Sequence, residues 1–374
     1  MLTETARTRD FPTLSGRTYL NTAAEGIPPP SVGEALAAYA RDKGLGMKGR
    51  EPHFARLAAC REVSARLVGL KPDEVAFCSC SSEAYNLLAS ALQLKPGDEV
   101  VITDLDFPAG ATPSLAAAEK PAVRLWRSRE GALDPADLAP LLNERTRQVQ
   151  VSLVSFYNGH RLAWRPFRDA VRRLAPNAII SVDVTQALGR VVLDCAGADI
   201  LISSTHKWTL GVHGGCIVGI PAASAERLTT RAGGWHHLQN PFGPDRLELP
   251  RPKAGAASFA VGMPNFPAIY ALDAALRYLE GVGLAAIAAH ADPLVAAADA
   301  GLRGLGLAPL CAWDPANPSG ILAFPSRRSA ELHAALEQDG IATMHPGGRI
   351  RVSVHGYNTA DDIARLLRAL ARVS

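Results

Sequence analysis

Polar side chains close two apolar runs in the middle of this 374-residue chain, and their types suit carbonyl chemistry. Asp183 ends the apolar run of "NAIISVDVTQALG", and Gln186 follows it. Ser204, His206 and Lys207 close "ADILISSTHKW". A buried carboxylate needs a cation or hydrogen-bond donors, and a lysine amine forms a Schiff base with a carbonyl compound. Singly, Asp183 also fits a turn and Lys207 a solvated loop. Together they predict a reactive site.

Two further positions supply complementary chemistry. Ser81 and Ser82 open the helical stretch "SSEAYNLLASAL" directly after the apolar run of "EVAFCSC". Such serines cap helices, and the N–H groups and dipole at that helix end also bind phosphate. Asn158, in "SFYNGH", precedes Asp183 at nearly the interval that separates Asp183 from Lys207, although "NG" is also a turn signal. A lysine, an aspartate and a phosphate-binding helix end are the parts that a pyridoxal phosphate site requires.

Short runs rich in valine and isoleucine alternate with alanine- and leucine-rich stretches between residues 55 and 220. This alternation predicts an α/β fold with a mostly parallel sheet covered by helices. Ligands of such sheets bind beyond the carboxyl ends of the strands, which is where the polar residues are expected. The predicted strands are "EVAFCSC", "EVVITDL", "RQVQVSLVS", "AIISVDV", "ADILISS" and "GCIVGI".

The second part of the chain has a different organisation. Residues 231–267 are rich in Gly, Pro and His and are predicted to form an ordered excursion from the sheet. The pattern from Pro267 to about Ala289 is helical, and "SGILAFP" and "RIRVSVH" indicate a smaller α+β domain. We therefore predict a large cofactor-binding domain over 15–262 and a small C-terminal domain over 263–374, with the N-terminal segment contributing to the small domain or to the site.

Composition and charge narrow the possible partners. The net charge of +3, from 39 basic and 36 acidic residues, offers no basic stripe for nucleic acid. Apolar runs fall short of the ~20 residues of a membrane span, and no apolar targeting segment opens the chain. We therefore expect a cytoplasmic protein that acts on small molecules, with no nucleic-acid or membrane partner. The six cysteines lack the spacing of a zinc site, so no metal is expected.

Motifs distributed over nearly the whole chain resemble the class V aminotransferase family of fold-type I pyridoxal phosphate enzymes. This family contains cysteine desulfurases, selenocysteine lyases and isopenicillin N epimerase. The resemblance implies a fold-type I transferase architecture and a homodimer with its active site at the interface. The motifs are "YLNTAAEGIPPP", "SSEAYN", "DLDFPAG", "SVDVTQALG", "SSTHKW", "GMPN" and "RVSVHGYNTADDIARLL".

The resemblance also implies roles for the residues around the cofactor. Lys207 forms the internal aldimine and shuttles the α-proton, and Asp183 keeps the ring nitrogen protonated. Gln186 is implied to bond the phenolic oxygen, and Asn158 to lie near that oxygen or the substrate carboxylate. The implied phosphate ligands are Ser81, Ser82, Ser204 and His206.

Two positions are expected to flank the substrate and the cofactor ring. Arg351, in "RIRVSVHGYN", matches the family arginine that binds the substrate carboxylate, a task that suits the forked guanidinium. Arg349 shares its strand face, and only the spacing to "YNT" favours Arg351. Phe107, in "DLDFPAG", stands where many desulfurases have a ring-stacking histidine, and we predict either that it covers the cofactor or that it is a core residue.

The chain also departs from the family pattern. "LEQDGIATMHPGGRIR" has no cysteine where desulfurases carry a reactive cysteine on a mobile loop, so no persulfide relay is expected. Met263, in "GMPN", replaces a threonine that reaches the neighbouring subunit's phosphate, and that contact is left unassigned. His236 and His237 either line the substrate pocket or lie on the surface, and His355 is left out of the catalytic set.

These features favour a pyridoxal phosphate-dependent C–S lyase that acts on an amino acid or a related compound through aldimine and quinonoid intermediates. Epimerisation and transamination are the alternatives, because the step after Cα–H cleavage decides the product. The lysine, the aspartate and the phosphate-binding residues are present together, which argues against a non-catalytic binding module. No G-x-G-x-x-G follows the first strand, which argues against a nucleotide-binding dehydrogenase.

Overall fold

A seven-stranded sheet forms the centre of the computed structural model, which describes residues 1–117 and 120–373. The strands of these residues are β1 (Thr18–Tyr19), β2 (Val75–Cys78), β3 (Glu99–Thr103), β4 (Ala122–Trp126), β5 (Thr146–Ser152), β6 (Ile179–Asp183), β7 (Ile200–Ser204), β8 (Cys216–Gly219), β9 (Ile321–Pro325), β10 (Ile341–Ala342) and β11 (Arg349–Ser353). The α-helices are α1 (Glu4–Asp10), α2 (Pro30–Gly44), α3 (Arg50–Val68), α4 (Ser81–Leu92), α5 (Pro108–Leu115), α6 (Trp164–Leu174), α7 (Phe266–Val282), α8 (Leu284–Gly304), α9 (Ser329–Gln338) and α10 (Ala360–Ala371).

The strands of the large sheet are mostly parallel, in the order β2-β8-β7-β6-β5-β3-β4. Among the described strands of this sheet, β8 alone runs opposite to the others, since it pairs antiparallel with both β2 and β7. The predicted α/β fold class is therefore confirmed, and each of the six predicted runs contains a strand. The strand β4 at the sheet edge was not predicted.

Helices cover both faces of this sheet because successive strand residues point to opposite faces. Ile180 and Val182 of β6 belong to a core shared with α3, α6 and α7. Ile200 and Ile202 of β7 belong to a second core on the other face, shared with α4. Strands buried on both faces read as continuous apolar runs, which explains why the sequence revealed them.

A smaller sheet is formed by β9 and β11, which pair antiparallel. Phe324 and Val352 lie in one apolar core with Val295 of α8 and Leu366 of α10. Because side chains alternate along a strand, the residues of β11 at odd-numbered positions point away from this core. Arg349 and Arg351 therefore lie on the opposite face.

The stretch from Pro267 to about Ala289 is helical as predicted, except at Gly283, and it belongs to two helices, α7 and α8. Gly283 has a φ of 88°, which glycine adopts without steric cost, and it separates α7 from α8 at a bend of 74°. Within the described ranges, no helix alone is long and apolar enough to cross a bilayer, and α7 and α8 meet that test only as this bent pair.

The division into domains over 15–262 and 263–374 stays a prediction. Ile269 of α7 packs into the core of the large sheet, whereas Ala291 of α8 packs into the core of the small one. The N-terminal segment contacts both regions, since β1 pairs in parallel with β10 and Ala23 lies in the large core.

Candidate active site

The carboxyl ends of neighbouring strands bring polar side chains to one edge of the large sheet. Ser152, Asp183 and Ser204 end β5, β6 and β7. Ser204 pairs with Cys216 of β8, which pairs with Cys78 at the end of β2. Because α4 begins shortly after β2, its N-terminus lies at the same edge as the aspartate. The structure thus brings together the helix end and the carboxylate that the sequence singled out.

Asp183 is buried, and each of its carboxylate oxygens accepts a hydrogen bond. The Tyr85 hydroxyl donates to Oδ2 at 3.0 Å, and the backbone N–H of Thr185 donates to Oδ1 at 2.8 Å. Burial, followed by the charge of Asp183, raises the pKa of Tyr85 well above its usual value, so this hydroxyl keeps its proton at neutral pH. The two donors hold the carboxylate in one orientation.

Lys207 follows β7 in a loop, and its Nζ lies 5.2 Å from the centre of the Phe107 ring. Burial lowers the pKa of this amine, and the positive charge of Arg351 acts in the same direction, whereas Asp183 and Glu25 oppose the shift. A lowered pKa increases the fraction of neutral amine at pH 7, which is the form that attacks a carbonyl carbon. The predicted aspartate and arginine are therefore both close enough to influence the lysine.

Phe107 forms one wall beside this amine. Its ring is 41% exposed and contacts Phe156 edge-to-face, with 5.0 Å between the ring centres. This exposure disagrees with the core-residue interpretation. An aromatic face beside the lysine amine suits a planar ligand, and the predicted role over the cofactor stays a prediction.

The N-terminal segment packs on the lysine loop at Gly26. The N–H of Gly26 donates to the carbonyl of His206 at 2.8 Å. A Cβ added at Gly26 would lie 1.9 Å from the carbonyl oxygen of Lys207. That oxygen also accepts the N–H of Leu210 at 3.0 Å. Because backbone atoms cannot move aside for a methyl group, glycine is required here.

We expect Gly26→Ala to displace the lysine loop and to destabilise the protein by roughly 1–3 kcal/mol, the usual cost of overpacking. Thermal unfolding checks this, with cofactor uptake as a second readout. Gly33→Ala in α2 is the matched control, because nothing lies within 4 Å of its added Cβ and alanine favours a helix. Equal unfolding temperatures for the two variants would contradict the packing argument.

The N-terminus of α4 has the features of an anion site. The N-cap residue, Cys80, makes no side-chain capping bond. The acidic residue of the first turn, Glu83, accepts the N–H and the hydroxyl of Ser79, both at 2.6 Å. Ser81 is half-buried and Ser82 is exposed. The first-turn N–H groups therefore lack a side-chain cap and can receive a phosphate, while the roles of the two serines stay predictions.

His206 is held beside the lysine by a neighbouring ring. His213 stacks on it with 4.1 Å between the ring centres, and Nε2 of His213 lies 3.1 Å from both carboxylate oxygens of Glu25. Burial, then the charge of Lys207, lowers the pKa of His206 to about 4, so its ring is neutral at pH 7. The ligand atoms of Glu25, His206 and His213 lie within 4.8 Å of one another, a grouping that the sequence did not indicate. The expectation of no metal stays a prediction.

Arg351 and Arg349 both reach the loop that follows β5. Nη1 of Arg351 donates to the carbonyl of Phe156 at 2.9 Å, and Nη2 lies 2.9 Å from the sulfur of Met344. Burial, then the charge of Arg349, lowers the pKa of Arg351 to about 10. Nε of Arg349 donates to the carbonyl of Tyr157 at 3.1 Å. Arg349, which the sequence analysis set aside, therefore lies on the same wall as the predicted substrate arginine.

Gln186 uses both ends of its amide inside the protein. Nε2 donates to the carbonyl of Ala23 at 3.0 Å, and Oε1 accepts from Nε1 of Trp208 at 2.6 Å. These bonds connect the N-terminal segment to the residue that follows Lys207. The predicted bond to the phenolic oxygen stays a prediction.

Asn158 is also engaged elsewhere. Its Nδ2 donates to the carbonyl of Gly131 at 2.7 Å, and its Oδ1 accepts the N–H of His160 at 3.0 Å. It lines a cavity of about 310 Å³ together with His160 and Cys311. None of these contacts brings its amide to Lys207, and its predicted role at the cofactor or the substrate stays a prediction.

Two residues of the site were missed by sequence reasoning. Tyr85 lies one helical turn after Ser81, and this spacing was the available signal. Asp106 is buried and accepts from the hydroxyl of Ser152 at 3.0 Å and from the N–H of Thr103 at 2.9 Å. Burial raises the pKa of Asp106 to about 7. A single aspartate in a loop gives no sequence signal for such burial.

His236, His237 and His355 were given no firm role by the sequence, and the structure shows how deeply each is buried. His355 is fully buried, its Nε2 lies 3.1 Å from the carbonyl of Trp208, and its Nδ1 accepts the N–H of Gly356. His355 therefore supports the residue next to the lysine. His236 is half-buried, and the buried position of His237 excludes the surface interpretation for that residue.

The donor set fits pyridoxal phosphate. Nε of Arg351 is buried without a hydrogen-bond partner in the described ranges, and the helix end at Ser81 has no side-chain cap. Both groups can therefore donate hydrogen bonds to an anion. The amine of Lys207 and the carboxylate of Asp183 lie at the same sheet edge. These groups complement the aldehyde, ring nitrogen and phosphate of the cofactor and the carboxylate of its substrate.

The chain is similar to known proteins over most of its length. Residues 18–366 match the family model described as aminotransferase class-V. The uncharacterized aminotransferase YcbU of Bacillus subtilis is 26% identical, covering 96% of this chain and 95% of that protein. A probable cysteine desulfurase of Methanothermobacter thermautotrophicus is 27% identical, covering 100% of this chain and 98% of that protein.

Solved structures show the same fold. An apo cysteine desulfurase from Thermococcus onnurineus NA1 superimposes with a TM-score of 0.87 at 22% identity, over 100% of this chain and 98% of that one. A complex of the cystine C–S lyase C-DES with cysteine persulfide has a TM-score of 0.85 at 22% identity, over 96% of this chain and 99% of that one. The predicted fold-type I architecture is thereby confirmed.

Proposed function

The chain belongs to the class-V aminotransferase family and is a pyridoxal phosphate-dependent enzyme, and we propose that it cleaves the C–S bond of an amino acid or a related compound by β-elimination. The observation that carries this proposal is the convergence of Lys207, Asp183 and Arg351 beside the loop 343–348, which has no thiol. The likeness to C-DES, described as a cystine C–S lyase, supports it.

The chain's own residues would bind and orient the reactants. Bound pyridoxal phosphate supplies an electron-withdrawing ring conjugated to the substrate α-carbon. Asp183, oriented by Tyr85, would hold the proton on the ring nitrogen. Nζ of Lys207 would be the point of attachment in the resting enzyme. The N-terminus of α4 would hold the phosphate together with Ser81, Ser82, Ser204 and His206.

Elimination then depends on two side chains, a cationic arginine and a neutral lysine. Arg351 binds the substrate carboxylate and fixes the α-carbon near the lysine. Nζ of Lys207, as a neutral amine, takes the α-proton. The bond between Cβ and sulfur breaks, and its electron pair leaves with the sulfur. The unsaturated product hydrolyses to a 2-oxo acid and ammonia.

The proposal includes no persulfide cysteine. The loop next to Arg351 presents Met344, whose sulfur contacts the guanidinium. Cys311 is buried, and burial raises the pKa of its thiol to about 11. Because the thiolate is the reactive form, this position is poorly suited to carry sulfur.

Incubation of the holoenzyme with cystine, cysteine and alanine tests the reaction type. We expect the sulfur amino acids to yield 2-oxo acid, ammonia and a sulfur product in equal amounts, without an added keto acid. Turnover that requires a 2-oxo acid acceptor would instead indicate transamination, the activity in the name of the YcbU relative. Inversion of alanine without release of ammonia would indicate epimerisation. Either outcome would overturn the lyase proposal.

We also propose a homodimer whose interface lies near the active site. Met263 lines a cavity of about 190 Å³ that reaches Ser79 and Glu83 at the start of α4. It also lines an open cavity of about 760 Å³ with Met47. Met47 is 74% exposed and Met263 38% exposed. Exposed apolar side chains beside a site suit burial by a second subunit.

Met47→Glu is expected to weaken the dimer by about tenfold, equivalent to about 1.4 kcal/mol, because a charge would be buried in an apolar contact. Sedimentation equilibrium measures this. Leu115→Glu introduces the same charge at an exposed leucine of α5 and should leave association unchanged. A wild-type protein that stays monomeric at micromolar concentration would contradict the dimer.

A further inference from the structure

Two arginine side chains lie on one wall of the candidate active site. Arg349 and Arg351 are 6% and 3% exposed, respectively. Their guanidinium groups donate to consecutive carbonyls, those of Tyr157 and Phe156. The wall therefore carries two positive charges next to each other on largely buried side chains.

Neither charge has an anionic partner in residues 1–117 and 120–373. No carboxylate oxygen of these ranges lies within 4.0 Å of either guanidinium. Arg351 has an unpartnered Nε and a thioether at Nη2. Arg349 stacks on the ring of Tyr157 at 3.7 Å, and its two terminal nitrogens have no acceptor in the described chain. Buried cations normally require a counter-charge.

This wall faces the lysine. The ring of Phe156 contacts the ring of Phe107, and Nζ of Lys207 lies over that same ring. The charge of Arg351 acts on the amine of Lys207, and the charge of Arg349 acts on Arg351. An anion bound by the two arginines would therefore be part of the molecule that reacts at the lysine.

One carboxylate satisfies one guanidinium, because the two nitrogens of the fork match its two oxygens. The α-carboxylate of an amino acid would thus neutralise Arg351 and leave Arg349 without a counter-ion. We propose that Arg349 selects substrates whose side chain carries a second anionic group, a carboxylate or a sulfur oxyanion. This inference rests on the proposed function and specifies its substrate class. The substrates are amino acids whose sulfur-containing leaving group carries an acidic group.

A matched pair of ligands tests the selection. S-carboxymethylcysteine and S-carbamoylmethylcysteine have nearly the same size and the same thioether, and they differ by one negative charge. Binding to the holoenzyme is followed by the change in cofactor absorbance, which yields two dissociation constants. We expect the wild type to favour the acid by at least about tenfold, or about 1.4 kcal/mol. We expect Arg349→Met to bring this ratio close to one.

Three variants separate this role from a structural one. Arg349→Lys should retain part of the preference, because it keeps the charge and loses the fork, and it replaces the methionine variant if that protein does not fold. Arg351→Met should weaken both ligands alike, since both carry the α-carboxylate. Arg173→Met removes an exposed charge on α6 and should keep the wild-type ratio.

Two results would overturn the inference: a wild-type ratio near one, or an unchanged ratio in both Arg349 variants. If other amino acids still shift the cofactor absorbance, the substrate class alone is wrong and the proposed function stands. If no amino acid shifts the absorbance of the loaded protein, the proposed function falls as well.

Discussion

Replacing Lys207 by alanine is expected to abolish borohydride-stable attachment of the cofactor to the chain. Turnover should also fall by about 10²–10⁴-fold, the contribution of a positioned acid–base group. The reason is the location of Lys207, which is half-buried, with its Nζ beside the ring of Phe107 and within the influence of Asp183 and Arg351. Mass spectrometry of the reduced protein and a turnover assay measure the two effects.

Lys95→Ala is the control for this variant, because Lys95 is exposed and lies before β3. It should retain both the reduced adduct and wild-type turnover. An adduct that persists in Lys207→Ala, or that maps to another lysine of the wild type, would show that the cofactor is attached elsewhere.

The sheet and the residues at its edge were largely predictable, for a physical reason. Strands buried on both faces need continuous apolar runs, and the polar residue that ends such a run lies at the binding edge. Asp183 and Ser204 follow this rule. β4 escaped prediction because it is an edge strand with Arg124 at its centre, and only its pairing with Glu99 of β3 explains that charge.

The partners of single side chains were not predictable. Gln186 bonds Ala23 and Asn158 bonds Gly131, and both contacts join segments that are remote in sequence. An amide has donors and an acceptor that suit many partners, so the residue type does not select among them. Strand alternation placed Arg349 and Arg351 on one face. It could not show that both would be buried without a carboxylate, because that depends on loops from elsewhere in the chain.

Asp183→Asn is expected to lower turnover by about 10²–10³-fold, the usual effect of removing one preorganised electrostatic partner. Asparagine has nearly the same shape, and its carbonyl oxygen can still accept from Tyr85 or Thr185, so the fold should persist. It has no negative charge with which to hold a proton on the ring nitrogen. The borohydride adduct on Lys207 should therefore remain while turnover is lost, and measuring both in one preparation separates cofactor loading from chemistry.

Asp106→Asn is the matched control, since Asp106 is a second buried carboxylate near Asp183. Burial raises its pKa to about 7, so at neutral pH the substitution removes only part of a charge. Its amide can still accept from the N–H of Thr103 and donate to the hydroxyl oxygen of Ser152, so both partners remain in contact. We expect a much smaller loss of turnover than in Asp183→Asn. Equal losses of turnover in the two variants would show that the total negative charge at this sheet edge matters, rather than the carboxylate of Asp183 in particular. Full activity of Asp183→Asn would refute the role of Asp183.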